Sequence, residues 1–508
     1  MAKHYDVIVV GAGNGGLVAA ATTARAGLST LLLERHNLPG GSASTFRRGR
    51  FEFEPSLHEL CSVGNEENPS QIYTLFKDLG CEIDWQYEFK TFRAIMFGED
   101  GFDVSMRAGV DAFCEDMERA VPGSAESVRA FFDLVRKNEE ALAYVAAMKG
   151  NPNKLKMVLK HADFMRCASH SVEAIEEALG MPQRAREIMN TYWCYLGVPT
   201  DELNAMHYLS MVGSYVEDGA AMPKKRSHEL SLALEKALLS AGGELWYNSE
   251  VVRFLYDEKG GCAGVVLSDG TELYAKEVIS NVIPHNVYAM SPKECVPERE
   301  LRLANSRELG ITFVTVYLGL DCSKEELGVE DYTVFKMNCA NPREQYDRRK
   351  EVGMYYVCNC LNVVIEDASP EGTCMLFFTI PMFGEDMPKD LKPEEYKKWK
   401  NEIARQYIED YEKCMGLDIR SHIEEISVAT PVTFAHYLGT PGGEIYGYQN
   451  SGWDSVIMRT QSQMKDFTVP HLTYCGGHSV RGDGYSSAYI TGQDAALRVI
   501  KRIKGGIA

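Results

Sequence analysis

The chain has 508 residues, 45% hydrophobic and 25% charged, and a net charge of −19. That length suits two domains with a sizeable core. The acidic balance argues against nucleic acid and against broad attachment to anionic lipid, and no run of 18 apolar residues suggests a membrane span. The chain enters its first strand at Tyr5, leaving no room for a leader, so a cytoplasmic location is expected. Fourteen cysteines lie scattered without zinc spacing; they read as core thiols, and no metal is expected.

The N-terminal pattern is the most specific. An apolar strand, Tyr5 to Val10, runs into Gly11-Ala12-Gly13-Asn14-Gly15-Gly16; a small-residue helix and a second strand, Thr30 to Leu33, follow and end on Glu34. In that order Gly11 permits a tight turn, Gly13 admits a pyrophosphate to the backbone, and Gly16 lets the helix approach the sheet. The helix start at Asn14 aims unpaired N–H groups at the phosphates. Glu34 suits an adenosine ribose and repels a 2′-phosphate, which leaves FAD or NAD. After Arg35 comes Pro39-Gly40-Gly41-Ser42, either a second close approach to the cofactor or a plain Pro-Gly turn. Phe51 and Phe53 alternate as in a strand, and His58 beyond them is a cofactor-facing group or a satisfied structural histidine.

Residues 76–225 read as helical and rich in Met, Tyr and Phe. Within them, Lys149, Lys154, Lys156, Lys160 and Arg166 surround Leu155, Val158 and Leu159, so 149–166 is a solvated amphipathic helix or a peripheral membrane contact. Lys224, Lys225 and Arg226 form a solvated turn or a site for a substrate carboxylate. A helix with Leu230, Leu234 and Leu238 on one face follows, then strands at 244–247 and 249–254, a hairpin through Asp269-Gly270, and a buried strand at 277–281. Strand-like runs recur at 311–318 and 375–380. Near the end, Leu472 to Cys475 enters Gly476-Gly477-His478 and Gly482-Asp483-Gly484, and a helix is expected from Ala488 to Lys504.

Four of these segments resemble the phytoene desaturase, carotenoid isomerase and retinol saturase group of the flavin amine-oxidase superfamily: Leu33-Glu34 with Pro39-Gly40-Gly41, Gly49 to His58, Gly442 to Gly447, and the loop Gly476 to Gly484. The resemblance implies an α/β fold. A Rossmann-like FAD-binding domain of the GR2 type would be built from 1–75, 226–300 and 460–508, and a discontinuous α+β substrate domain, a mixed sheet with a helical cap, from 76–225 and 301–459. It implies FAD held by Gly11, Gly13, Asn14, Gly16, Glu34, Arg35, Gly40, Gly41, Ser42, Val251, Gly476, Gly477, Asp483, Gly484, Tyr485 and Ser486. It also implies an oxidoreductase that forms or reduces a C–C double bond in an apolar, lipid-like substrate, with a redox-neutral double-bond isomerase and a non-catalytic flavin-bearing protein as alternatives. The candidate proton handlers are His58, Tyr448, His478, Arg481 and Tyr485, with His436 and Tyr446 behind them. No second dinucleotide fingerprint names the electron donor or acceptor. Where relatives carry a Pro-x-Gly-Gly segment this chain has Pro223-Lys224-Lys225-Arg226, and Glu54-Pro55-Ser56 replaces an Asp and a Gly, so the group's long polyene substrates do not transfer automatically.

Overall fold

The computed structural model describes residues 3–148, 152–450, 452–455, 458–459, 469–481 and 484–505. Among them, seven strands form one sheet in the order Val251–Tyr256, Cys262–Leu267, Glu272–Ser280, Lys3–Val10, Thr30–Leu33 and Glu244–Trp246, with Leu472–Tyr474 added in parallel to the end of Glu272–Ser280. The first strand pairs in parallel with both neighbours, and Val7 to Val10 are fully or almost fully buried, as a strand covered on two faces requires. The helix Asn14–Arg25 packs on this sheet between Ser227–Ser240 and the terminal helix Tyr485–Ile503. Its alanines, Ala19 to Ala21, permit the close approach.

A second seven-stranded sheet has the order Ile423–Ala429, Ile311–Leu320, Cys374–Phe383, Tyr355–Cys360, Thr333–Met337, Lys90–Met96 and Phe102–Arg107. The last two strands, with Trp85–Glu88, interrupt the stretch read as helical; helices dominate it only from Val110 onward. One face of this sheet packs on the long helix Pro393–Met415 and the other on the helices between Val110 and Val216. One apolar cluster joins the two sheets, running from Val7, Val9 and Leu17 to Tyr317, Phe377 and Phe434.

The helix containing Leu230, Leu234 and Leu238 spans Ser227–Ser240 with those leucines buried. The terminal helix starts at Tyr485, three residues before the expected Ala488, because Gly484 at φ +39° turns the chain directly into it. Among the described residues no helix is long and apolar enough to cross a membrane.

Candidate functional site

Close backbone approaches converge where the first and last segments meet. Gly11 turns the chain at φ +93°, and a Cβ on Gly16 would lie 1.9 Å from the Gly11 carbonyl oxygen. A Cβ on Gly15 would meet Gly476 N at 2.8 Å, and one on Gly492 would meet Gly15 O at 2.2 Å. Gly40 N–H donates to Ala12 O at 2.7 Å, which lays the second glycine pair along the first loop. Two helix N-termini, at Asn14 and Tyr485, thus border one space, and each brings to it a first turn whose N–H groups have no partner within the helix and the positive end of its dipole.

That space is a cavity of about 780 Å³. Gly11, Gly13, Asn14, Glu34, Arg35, Gly40, Gly41, Ser42, Val251, Gly476, Gly477, His478, Gly484 and Tyr485 all line it. Gly16 does not line it; it packs helix against strand. At one end Glu34 is fixed by the N–H groups of Ala12 (2.7 Å) and His36 (2.8 Å). Ser249 N–H donates to the Glu34 carbonyl, which brings Val251 alongside. The Arg35 guanidinium donates to the carbonyls of His436 and Tyr437, tying the helix Pro431–Leu438 across this end.

At the other end the cavity shares Ser56, Phe434, Ile445, Tyr446, Gly484 and Tyr485 with an inner chamber of about 100 Å³. His58 and Ser486 line this chamber, and so do Glu59, Tyr195, Met211, Tyr215 and Phe313, which the sequence reading did not single out. His58 is half-buried, with its ring nitrogens 3.1 Å from Tyr195 Oη and 2.7 Å from Thr379 Oγ1. Burial lowers its pKa to about 4, so the ring is neutral at pH 7 and carries one N–H. Tyr485 Oη donates to Ser42 O at 2.9 Å and lies 2.9 Å from Ser56 Oγ, and burial raises its pKa. Ser486 Oγ donates to Cys61 O at 2.9 Å.

Three other candidates lie elsewhere. Tyr448 lines neither space: it is buried against His285 Nδ1 at 2.8 Å, under the Arg307 guanidinium. Gly447, at φ +82°, separates it from the cavity-lining Tyr446. Arg481 is half-buried outside both linings. His436 is a carbonyl partner of Arg35. Asp483 lies outside the described residues. Lys224, Lys225 and Arg226 also miss the cavity. Lys224 Nζ is 3.7 Å from Asp367, the Lys225 N–H donates to Glu229, and the Arg226 guanidinium donates to Ala368 O. The buried carboxyl of Glu54 accepts from the Ser227 N–H and hydroxyl, so this segment starts a helix.

The lining fits a flavin dinucleotide. Asn14 Oδ1 is buried without a protein partner beside the first glycine loop. His478 Nε2 is likewise buried and unpartnered at the cavity wall, and burial with the nearby Arg307 and Arg459 lowers the His478 pKa to about 3, leaving it a neutral hydrogen-bonding group. Side-chain-free backbone at Gly13, Gly15, Gly41 and Gly476 forms the middle of the cradle. Among the described residues no group of three or more His, Cys, Asp or Glu side chains is placed to hold a metal ion.

Residues 9–79 match the profile of an NAD(P)-binding Rossmann-like domain. The chain is 23% identical over 530 aligned positions to all-trans-retinol 13,14-reductase of Danio rerio, covering 93% of this chain and 84% of that one. It is 23% identical over 521 positions to the chloroplastic prolycopene isomerase of Daucus carota, covering 98% and 80%. The structure of cyclohexylamine oxidase from Brevibacterium oxydans superposes with a TM-score of 0.62 at 15% identity, over 98% of this chain and 99% of that one, which is a likeness of fold.

Proposed function

We propose that this chain, which belongs to the family of phytoene desaturases, carotenoid isomerases and retinol saturases, uses FAD to reduce or form a C–C double bond in an elongated apolar substrate. The observation that carries this reading is the joined pair of spaces: a long cavity with two helix N-termini and an acid at its far end, opening on an apolar chamber. The retinol reductase and the prolycopene isomerase of the comparison act on polyenes, and a polyene suits a chamber walled by Met211, Phe313, Phe434 and tyrosines. Bound flavin supplies hydride exchange. The chain's residues do the rest. Asn14 and the backbone N–H groups at both helix starts meet the phosphates and the far end of the ring system. Tyr446 and Phe434 stand at the junction of the two spaces and orient the chain of the substrate. The buried aromatic walls exclude water from the reacting carbons.

Purified protein reconstituted with FAD and photoreduced without oxygen tests this with all-trans-retinol and poly-cis-lycopene as substrates. A product heavier by two hydrogens supports reduction. Unchanged mass with altered double-bond geometry supports the isomerase reading, which the likeness to prolycopene isomerase across 98% of the chain favours as second. No flavin uptake sinks both.

We also propose that substrate arrives from a lipid surface. On the helix Lys154–Lys160, Leu155, Val158 and Leu159 are each more than 60% exposed, with Lys154, Lys156 and Lys160 beside them. Lysines near an anionic bilayer contribute about 1 kcal/mol each, so changing all three to Glu should abolish flotation with phosphatidylglycerol vesicles. Flotation equal to wild type removes the idea.

A further inference from the structure

One acid in the wall of the inner chamber and a second behind it are left unexplained by hydride exchange alone. Glu59 lines the chamber and is 4% exposed. Its Oε1 lies 3.2 Å from Tyr192 Oη, and the Tyr192 Oη lies 2.9 Å from the carbonyl oxygen of Thr91. A phenol has one hydrogen, and a carbonyl only accepts. With the Tyr192 hydrogen on Thr91, the Glu59 contact is a hydrogen bond only when the Glu59 carboxyl brings the proton. On its other side this carboxyl meets that of Glu88. Glu59 Oε2 and Glu88 Oε2 are both buried, and among the described residues no N–H or O–H reaches them. Two ionised carboxylates side by side in such a setting repel, so the pair keeps a proton.

The surroundings give the pair an inside and an outside. Tyr192, Tyr195 and Tyr332 lie near the pair, Tyr215 Oη donates to the Glu59 backbone carbonyl, and neutral His58 stands next to Glu59 in the chamber wall. Glu88 lies on Trp85–Glu88, which pairs with Ala220–Pro223. The charges near Glu88 are Asp331 and Lys90. Asp331 pairs with Lys90 at 2.6 Å and with Arg93 at 3.0 Å, and the Lys90 side chain is half exposed to solvent. Burial and the mutual repulsion of the two carboxyls hold a proton on the pair well above the usual carboxylate range.

We infer that Glu59 and Glu88 share a proton and act as the acid of the double-bond chemistry, Glu59 as the catalytic residue at the chamber and Glu88 as the positioning residue behind it. This rests on the polyene reading above. In reduction, hydride from reduced flavin bonds to one alkene carbon. The Glu59 O–H bond breaks, its proton bonds to the other carbon, and the O–H electron pair stays on the carboxylate. A reduced flavin held in the cradle would supply the two electrons, the alkene would gain two hydrogens, and solvent would restore the proton to the pair. Desaturation runs the same steps backward.

Infrared difference spectra of wild type against Glu59→Gln, in H2O and D2O at pH 7, read the proton whatever the protein turns over. A carboxylic-acid carbonyl band that shifts in D2O and is lost in Glu59→Gln is expected, with loss or displacement in Glu88→Gln; no such band in wild type overturns the inference. In photoreduced, FAD-loaded enzyme, Glu59→Gln should slow alkene reduction by about 100-fold, the scale of one positioned general acid. Its flavin photoreduction should match wild type, and Glu59→Asp should recover part of the rate. The wild-type rate should fall at alkaline pH as the pair loses its proton, a limb absent from Glu59→Gln; an unchanged rate or limb overturns the protonation step. Should Glu59→Gln fail to fold, Glu88→Gln is read by the same band and the same limb. Should wild type convert no polyene, the proposed activity falls and the protonation step with it, while the infrared band still decides the shared proton.

Discussion

Glu34 serves two neighbours at once. Its carboxylate fixes the N–H groups of Ala12 and His36, so it shapes the glycine loop as well as bordering the cavity. Hydrogen bonds to a charged group are worth about 1.5–3 kcal/mol. Glu34→Ala should therefore weaken flavin affinity by about 10- to 100-fold in a fluorescence titration, and affinity equal to wild type would remove the ribose role. A different carboxyl governs stability. Glu176 is fully buried, accepts one bond from Asn190 Nδ2 at 2.9 Å, and is pushed by burial from 4.5 to about 8. Between those two values the folded chain holds a proton that the unfolded chain has released, so stability falls as pH rises through this window. Each unit of displacement is worth about 1.4 kcal/mol. Urea midpoints of Glu176→Gln should consequently decline less between pH 5 and 8 than those of wild type; parallel declines would show that Glu176 does not carry this effect.

The opening and terminal helices meet through glycine. A Cβ at Gly492 would lie 2.2 Å from the Gly15 carbonyl oxygen, a backbone atom that cannot swing aside. Gly492→Val should cost about 1–3 kcal/mol by overpacking and loosen flavin as the two helix starts part, both read in one urea titration followed by flavin fluorescence; unchanged flavin retention at lowered stability would separate packing from the cradle. These elements were legible because strand, glycine turn and helix each leave a local pattern: Gly11 and Gly476 need positive φ, and Leu230, Leu234 and Leu238 repeat at helical spacing. The chamber left no such pattern. Glu59 reads locally as one acid between His58 and Leu60, and its partner Glu88 arrives only through the pairing of Trp85–Glu88 with Ala220–Pro223. The sequence ranks Tyr448 ahead of Tyr446 as a candidate, yet with Gly447 at positive φ between them it is Tyr446 that lines the cavity and Tyr448 that packs on His285. Lys224 to Arg226 form a polar turn whose partners, Asp367 and Ala368, lie more than a hundred residues away.

At the scale of the molecule, the cavity belongs to neither sheet alone. Gly13, Glu34 and Val251 come from the first sheet and its turns, Tyr317 and Ala429 from strands of the second, and Phe434 and Tyr446 from the segment that follows it. Arg35 bridges the same gap through the carbonyls of His436 and Tyr437. A ligand filling this space acts as core shared by both halves, so its binding energy must appear in the unfolding of both. Free flavin at one hundred times its dissociation constant adds about 2.7 kcal/mol to the state that binds it. Calorimetry of FAD-loaded against flavin-free protein should therefore show the whole transition moving upward, with Ile311–Leu320 and Lys3–Val10 gaining amide-exchange protection together. Two transitions of which only one moves, with added protection confined to the first sheet, would mean that the second sheet does not grip the cofactor. The junction at Phe434 and Tyr446 would then be a loose lid and not the wall that aligns substrate with the ring.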